Sequence, residues 1–461
     1  MSILRNTDGA NNTKMSNIIT NSIPAGIYIH IPFCARKCPY CDFYSVSELS
    51  YLDIFMDALL HELEFRAEPD LNIDTIYIGG GTPSLLSCGQ TEKIIAHIIK
   101  CFNVMDNPQI TMEINPGTLC ISDIAQIKQQ GFNGHSNKNN YAKALGNGTD
   151  TGTTAEITRK LENIRSIGVN RLSIGVQSFQ DHKLSFLKRI HSAGTAINTI
   201  ESARKAGFDN ISIDLMYGLP GETQNSWKYD LDVAISMNCE HLSCYMLTYE
   251  PGTPMYDEVA GNKFKPLDDE KVSLLFKQTS GYLASHDFYH YEISNFARCM
   301  KKKEKELCCQ SKHNRKYWNM VPYLGFGPSA HSYDGINRFS NDSSVKTYIA
   351  RLNRGKLPLK MEEKLTIEQK MIETVMLGLR TAEGINIKNF EHKFNCDFDK
   401  LFGTVMERVK SRSWGELCSG KSTYEINHET KGEGIAQEFF HLNVEGWIFL
   451  DSVVSWFVDE I

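Results

Sequence analysis

The sequence has no apolar run of the roughly 18 or more residues that a bilayer-spanning helix needs. It also lacks an excess of basic residues, since 49 Lys and Arg stand against 55 Asp and Glu, for a formal net charge of -6. This balance gives no electrostatic footprint for nucleic acid, so no nucleic-acid partner is expected. A hydrophobic content of 41% over 461 residues provides ample core for more than one domain.

Secretion signals and a disulfide framework are missing as well. Residues 1–24 are rich in Asn, Ser and Thr and contain no apolar stretch of signal-peptide type, so we interpret them as a flexible tail. Mitochondrial targeting is the less favoured alternative, because this tail has one Arg. Three of the 13 cysteines crowd together while the others are scattered, which predicts reduced thiols in a cytoplasmic setting.

From residue 25 onward, short β-rich runs alternate with longer helical patterns. The predicted strands are 27–31, 75–78, 110–114, 171–174, 210–214 and 241–245, and the main predicted helices are 52–68, 90–101, 195–206 and 227–237. This alternation is typical of βαβ units around a parallel sheet, and six units fit a partial (β/α) barrel in the α/β class. An open doubly wound sheet is the alternative, and periodicity does not separate the two.

Composition divides the chain further. We expect the barrel over 25–298, with a polar, Gly- and Asn-rich insertion at 131–154. Residues 299–344 form a connecting region that begins with a charged insertion at 299–312. Residues 345–461 are expected to form a smaller, mainly helical C-terminal domain.

The loop after the first predicted strand carries the most informative motif. Cys34, Cys38 and Cys41 follow a C-x3-C-x2-C spacing, and in a barrel this loop opens at the face where active sites lie. A structural zinc site and an ordinary 4Fe-4S cluster each require four ligands, so three thiolates leave one position open. A zinc-stabilised binding module, with His30 as the nearest fourth ligand, is the competing interpretation.

In this context the motif resembles that of the radical SAM family, in which S-adenosylmethionine (SAM) binds the fourth iron of a 4Fe-4S cluster. The likeness spans about residues 27 to 338 and includes the GGGTP turn at 79–83 and the segment RLSIGVQSF at 171–179. It implies one cluster on the three cysteines and an electron donor that reduces it. The residues that the resemblance implies for SAM are Tyr28, Tyr40, Gly80, Gly81, Thr82, Glu113, Gln177, Arg189 and Asp214.

Within this family the sequence is similar to the coproporphyrinogen dehydrogenase-like group, where two functions compete. The dehydrogenase, which decarboxylates porphyrinogen propionates through a 5'-deoxyadenosyl radical, carries a further cysteine at the position of Phe43. The resemblance therefore favours the haem chaperones of the group, whose cargo is haem and whose partners are haem-accepting respiratory proteins. Their HNxxYW segment is matched here and makes His313, Tyr317 and Trp318 the candidate haem contacts.

The resemblance also implies a location. We expect the cytoplasm, with peripheral association with a membrane as an alternative, and the mitochondrion if the source is eukaryotic. Whether SAM is cleaved or only bound, and so whether the protein is an enzyme, stays open at this point.

Overall fold

A computed structural model describes residues 23–119, 153–302, 305–420 and 437–461. Most of the predicted polar insertion and nearly all of the predicted tail lie outside the described residues. The strands are β1 (Ala25–Ile31), β2 (Glu68–Gly80), β3 (Phe102–Ile114), β4 (Arg171–Gln177), β5 (Ile211–Tyr217), β6 (His241–Met246), β7 (Phe288–Glu292), β8 (Asn295–Lys302), β9 (Lys305–Cys308), β10 (Tyr323–Phe326), β11 (His331–Tyr333), β12 (Asn337–Asn341), β13 (Leu359–Lys364), β14 (Ile385–Asn386), β15 (Gly415–Gly420) and β16 (Gln437–Leu442).

The helices fill the intervals between the strands. They are α1 (Leu52–Phe65), α2 (Cys88–Cys101), α3 (Thr154–Ser166), α4 (Asp181–Phe186), α5 (Ala193–Lys205), α6 (Gln224–Ser236), α7 (Pro254–Ala260), α8 (Asp269–Ala284), α9 (Lys312–Trp318), α10 (Val345–Leu352), α11 (Ile367–Leu379), α12 (Ile387–Phe394), α13 (Phe398–Lys410), α14 (Val444–Ile448) and α15 (Leu450–Val458). Several begin at side-chain caps that the sequence supplies, such as the capping box that Ser87 and Gln90 form on α2. None of the described helices is long and apolar enough to cross a membrane.

Strands β1 to β6 run parallel and lie side by side in chain order, with β10 parallel to β1 on the other side. Sequential right-handed βαβ crossovers place all their helices on one face of the sheet, whereas a doubly wound sheet reverses its order and covers both faces. The predicted partial (β/α) barrel is therefore confirmed, and the doubly wound alternative is wrong. The predicted strands coincide with β1 to β6, although β2 and β3 extend further toward their amino ends.

The two faces of this sheet differ in chemistry. In β4, for example, Leu172, Ile174 and Val176 are fully buried in the core shared with the helices. Their neighbours Arg171 and Ser173 point to the opposite face, because successive side chains of a strand alternate. The result is an apolar outer face that holds the helices and a polar inner wall that is available for a ligand.

Antiparallel strands extend both edges of the sheet. Strands β8 and β7 follow β6 at one edge, and β11, β12 and β13 follow β10 at the other. Part of the predicted charged insertion forms the β8–β9 hairpin. Helix α9 crosses the amino ends of the first strands, where the Lys312 N–H donates to Gln109 Oε1 at 2.9 Å and Lys316 Nζ donates to the Pro24 carbonyl at 2.6 Å.

A second core belongs to the C-terminal part of the chain. It combines α11 to α15 with a three-stranded antiparallel sheet in the order β14–β16–β15, so a helical character predominates there. The preceding elements α10 and β13 belong to the first core and its sheet. Tyr348 of α10 is buried in that core, and β13 pairs with β12.

Candidate functional site

The three cysteines of the motif lie on the loop that follows β1. Its start is fixed by two backbone hydrogen bonds, from Cys34 N–H to the Val46 carbonyl at 3.0 Å and from Val46 N–H to the Pro32 carbonyl at 2.7 Å. Cys34 is buried, whereas Cys38 and Cys41 are partly exposed. Because the carboxyl ends of parallel strands share one edge, this loop lies beside the turns that follow β2 to β5.

Donor groups from those turns approach two of the thiols. Thr82 Oγ1 lies 3.5 Å from Cys34 Sγ, and Arg189 Nη1 lies 3.5 Å from Cys38 Sγ. Burial raises the pKa of the Cys41 thiol to about 11. Hydrogen bonds to ligating sulfurs stabilise the negative charge of an iron–sulfur cluster, so this donor set fits such a group.

The zinc interpretation requires a fourth ligand from the same neighbourhood. The ring nitrogens of His30 lie 3.1 Å from the Tyr28 hydroxyl and 2.9 Å from the Tyr44 carbonyl. His30 is therefore engaged away from the thiols. Among the described residues, no three His, Cys, Asp or Glu side chains form a group that could hold one metal ion, and the three cysteines of the motif are no exception.

The glycine turn after β2 packs directly against this loop. Gly80 has a φ of 110°, and a Cβ there would lie 2.7 Å from the His30 ring. A Cβ on Gly81 would lie 2.6 Å from the Phe33 carbonyl oxygen, while its N–H donates to the Ile31 carbonyl at 2.8 Å. The glycines are thus required for the close approach of the two loops, and this approach brings Thr82 to the first thiol.

Glu113 connects the same turn to the inner wall. Its carboxylate accepts hydrogen bonds from the Tyr77 hydroxyl at 3.0 Å and from the Gly80 N–H at 3.1 Å. Burial, and then the negative charge of Asp214, raise the pKa of Glu113 to about 7. The side chain is therefore poised to change its charge near neutral pH.

Asp214 and Gln177 face the interior from neighbouring strands. Ser173 Oγ donates to both carboxylate oxygens of Asp214, at 3.2 and 3.0 Å, and burial raises the pKa of this carboxyl. Gln177 has a φ of 64° at a register shift in the β4–β5 pairing, and its Oε1 is buried with no partner. Its unused acceptor and its strained backbone are compatible with a ligand-binding role.

Arg189 lies between the cluster loop and β4. Besides its contact with Cys38, it donates through Nη2 to the Gly175 carbonyl at 2.8 Å. Arg36 of the cluster loop donates to the Arg189 carbonyl at 2.9 Å. The cluster loop and the segment that carries Arg189 are thus joined by two arginines, one from each of them. Tyr40 packs into a small apolar cluster next to the motif, and burial raises its pKa.

An aromatic column runs down the inner wall from this region. The rings of Tyr28 and Tyr77 are stacked at 6.1 Å between centroids, and the Tyr77 ring lies 5.4 Å from that of His313. His313 Nδ1 is 3.0 Å from Thr75 Oγ1, and its Nε2 is 2.9 Å from the Tyr317 hydroxyl. Both nitrogens are thus engaged, and burial lowers the pKa of His313 to about 3.

The three candidate haem contacts therefore do not all face the same space. His313 and Tyr317 meet inside the barrel near its amino-terminal end, where no ring nitrogen of His313 is free for a haem iron in this conformation. The Trp318 ring lies edge-to-face against Tyr317, at 6.4 Å between centroids, and lines a small cavity with Tyr291 and Thr381, between the barrel and the C-terminal domain. A single flat contact surface made of all three side chains is not observed.

Comparisons with known proteins give the family. Residues 28–137 and 139–234 match the radical SAM superfamily, and residues 365–417 match the HemN C-terminal domain. The heme chaperone HemW of Bacillus subtilis is 32% identical over 410 residues, which cover 88% of this chain and 95% of that protein. The chain belongs to the HemW family of radical SAM proteins.

Other relatives extend the same picture. HemW of Synechocystis sp. is 27% identical over 450 residues, covering 95% of this chain and 97% of that protein. A mitochondrial radical S-adenosyl methionine domain-containing protein 1 of Danio rerio is 28% identical over 419 residues, covering 88% and 82%. The solved structure of coproporphyrinogen III oxidase (HemN) from Escherichia coli superposes with a TM-score of 0.71 at 18% identity, covers 98% of this chain and 94% of that one, and shows the shared fold.

Membership of the HemW family confirms the predicted resemblance, and the HemW relatives favour the chaperone interpretation over the dehydrogenase. The radical SAM match implies a 4Fe-4S cluster and SAM for this chain. Sequence reasoning missed Tyr77 and Arg36, which support Glu113 and the cluster loop. The alternation of polar and apolar residues along β2 marks Tyr77 as inward-facing, whereas Arg36 has no comparable signal.

Proposed function

We propose that this protein is a haem chaperone that binds haem and delivers it to haem-dependent proteins. The observation that carries the proposal is the nearly full-length similarity to HemW of Bacillus subtilis, which is named a heme chaperone. Respiratory enzymes as acceptors, an electron donor for the cluster, and a cytoplasmic location stay predictions from the resemblance.

For the cofactors, we propose that Cys34, Cys38 and Cys41 bind the 4Fe-4S cluster and that SAM completes its coordination. The hydrogen-bond donors on the first two sulfurs support this assignment. When bound, the two cofactors supply one-electron and radical chemistry. The residues proposed to bind SAM are Tyr28, Tyr40, Gly80, Gly81, Thr82, Glu113, Gln177, Arg189 and Asp214.

Phe43 supports a chaperone rather than a dehydrogenase. It replaces the additional cysteine of the dehydrogenase, and 68% of its side chain is exposed next to the cluster motif. A thiol at this position could take part in redox chemistry, whereas a phenyl ring offers only an apolar contact.

Haem contact at the HNxxYW segment requires a local rearrangement. We propose that His313 reaches haem iron when its bond to Tyr317 opens, because Tyr317 occupies the Nε2 atom in the present arrangement. Removing that hydroxyl would release the nitrogen without removing the ring. Tyr317→Phe is therefore expected to retain or strengthen haem binding, whereas His313→Ala is expected to weaken it.

The test is an anaerobic titration of the cluster-loaded protein with haemin, followed by absorbance. We expect saturation near one haem per chain, at least tenfold weaker binding by His313→Ala, and unimpaired binding by Tyr317→Phe. His290→Ala is the matched control, because both His290 nitrogens are also engaged in a buried setting away from the barrel interior. Absence of saturable binding by the unaltered protein would contradict the proposed function, and equal effects of the two His variants would contradict the role of His313.

A further inference from the structure

Arg171, the first residue of β4, is a buried cation on the inner wall of the barrel. Only 2% of it is exposed. Its neighbours Leu172 and Ile174 face the helices, so its own side chain faces the interior, on the same side as Ser173, which contacts Asp214.

This guanidinium has no partner among the described residues, which give it neither a hydrogen bond within 3.5 Å nor a carboxylate within 4.0 Å. Its Nε is buried and unbonded. Thr111 lies directly opposite Arg171 in the β3–β4 ladder, and its Oγ1 is also buried without a partner. Burying a cation that has no hydrogen bond or salt bridge costs several kcal/mol, so two adjacent unused donors on one wall indicate a ligand that accepts hydrogen bonds.

The electrostatics of the interior agree with this placement. Burial raises the pKa of Tyr77 in β2 and of Asp214 in β5, and the positive charge of Arg171 opposes both shifts. Burial lowers the pKa of His241 in β6, and Arg171 adds to that shift. Asp214 is also one of the residues proposed for SAM. The Arg171 guanidinium therefore interacts with groups that line the barrel interior rather than with groups on the outer surface.

We propose that Arg171, assisted by Thr111, binds a carboxylate of a ligand that enters the barrel. A planar guanidinium matches a carboxylate through two parallel hydrogen bonds, and the threonine hydroxyl can donate a third. The inference rests on the proposed function, because haem, the proposed cargo, carries two propionates.

The experiment removes the carboxylate from the ligand and the guanidinium from the protein in turn. Cluster-loaded protein is titrated with haemin and with haemin dimethyl ester, using equilibrium binding as the readout. The variants are Arg171→Gln and Arg171→Lys, with Arg204→Gln as the control, because Arg204 pairs with Glu240 on the outer face of the barrel.

We expect the free propionates of haemin to strengthen binding to the unaltered protein at least tenfold relative to the dimethyl ester, and Arg171→Gln to abolish most of that difference. Arg171→Lys should retain an intermediate difference, and it decides the matter if Arg171→Gln does not fold. An unchanged affinity ratio of haemin to its dimethyl ester in Arg171→Gln would overturn the role of Arg171 while leaving the proposed function intact. Failure of haemin to bind the unaltered protein would overturn both.

Discussion

At the scale of single residues, the inner wall combines groups whose charge depends on burial. Glu113 is the clearest case, since burial and Asp214 bring its pKa to about 7. Such a carboxyl is mostly protonated at pH 6 and mostly ionised at pH 8. An ionised carboxylate is a better hydrogen-bond acceptor than a carboxylic acid for hydroxyl groups such as those of the SAM ribose, so the proposed SAM role of Glu113 predicts that affinity for SAM rises with pH across this range.

The corresponding prediction compares the unaltered protein with Glu113→Gln. We expect affinity for SAM to increase up to about tenfold between pH 6 and pH 8, following the ionised fraction of Glu113, and to lose this increase in the variant. Equilibrium dialysis of cluster-loaded protein measures both. The variant also serves as the control for titration of SAM itself, and an identical pH profile in the two proteins would exclude Glu113 as the titrating group.

At the scale of elements, the segment between β4 and α5 is held by one buried lysine. Lys183 of α4 contacts Glu222 at 2.5 Å and Asp230 at 2.8 Å, and all three side chains are at most 4% exposed. Asp230 also accepts the Phe179 N–H at 2.7 Å, and Glu222 accepts the Gly218 N–H at 2.6 Å. This network ties the segment that carries Arg189 to the loop after β5.

We predict that Lys183→Met destabilises the barrel by about 3–5 kcal/mol, because it leaves two buried carboxylates without their cation. Lys228→Met is the matched control: the Lys228–Asp232 pair is exposed to solvent, so its loss should have a much smaller effect on stability. Denaturant unfolding followed by circular dichroism measures the difference. Equal destabilisation by the two variants would mean that the buried network contributes no more than a surface pair.

The secondary-structure elements also show how much of the fold could be predicted from the sequence. The strands β1 to β6 and the cysteine loop follow from local periodicity and spacing, which need no knowledge of distant partners. The pairing of β1 with β10 and of β12 with β13, in contrast, joins segments by register, and no local pattern specifies which edge they extend. The sequence shows Arg171 only as the first residue of a motif. Its lack of a hydrogen-bonded partner cannot be read from the sequence, because it depends on how the strands assemble.

At the scale of the whole molecule, the barrel and the C-terminal domain meet around an ion pair whose carboxylate is buried. Arg380 Nη2 lies 3.1 Å from Glu292 Oε2, and the Glu292 side chain is fully buried. The same guanidinium stacks over the Trp318 ring at 4.1 Å, while His290 packs edge-to-face on Trp447 at 4.6 Å. Burial raises the pKa of Glu292, and the positive charge of Arg380 opposes this shift.

This arrangement predicts that Arg380→Met weakens the contact between the two domains. The variant leaves Glu292 buried without its cation, which should cost about 3–5 kcal/mol, and Glu292→Gln in the same chain should restore much of the loss by removing the charge. Calorimetric unfolding of the two single variants and the double variant measures the coupling. A double variant no more stable than Arg380→Met would contradict the role of the ion pair. Stacking of the guanidinium on Trp318, rather than its charge pairing with Glu292, would then account for the stability of this contact.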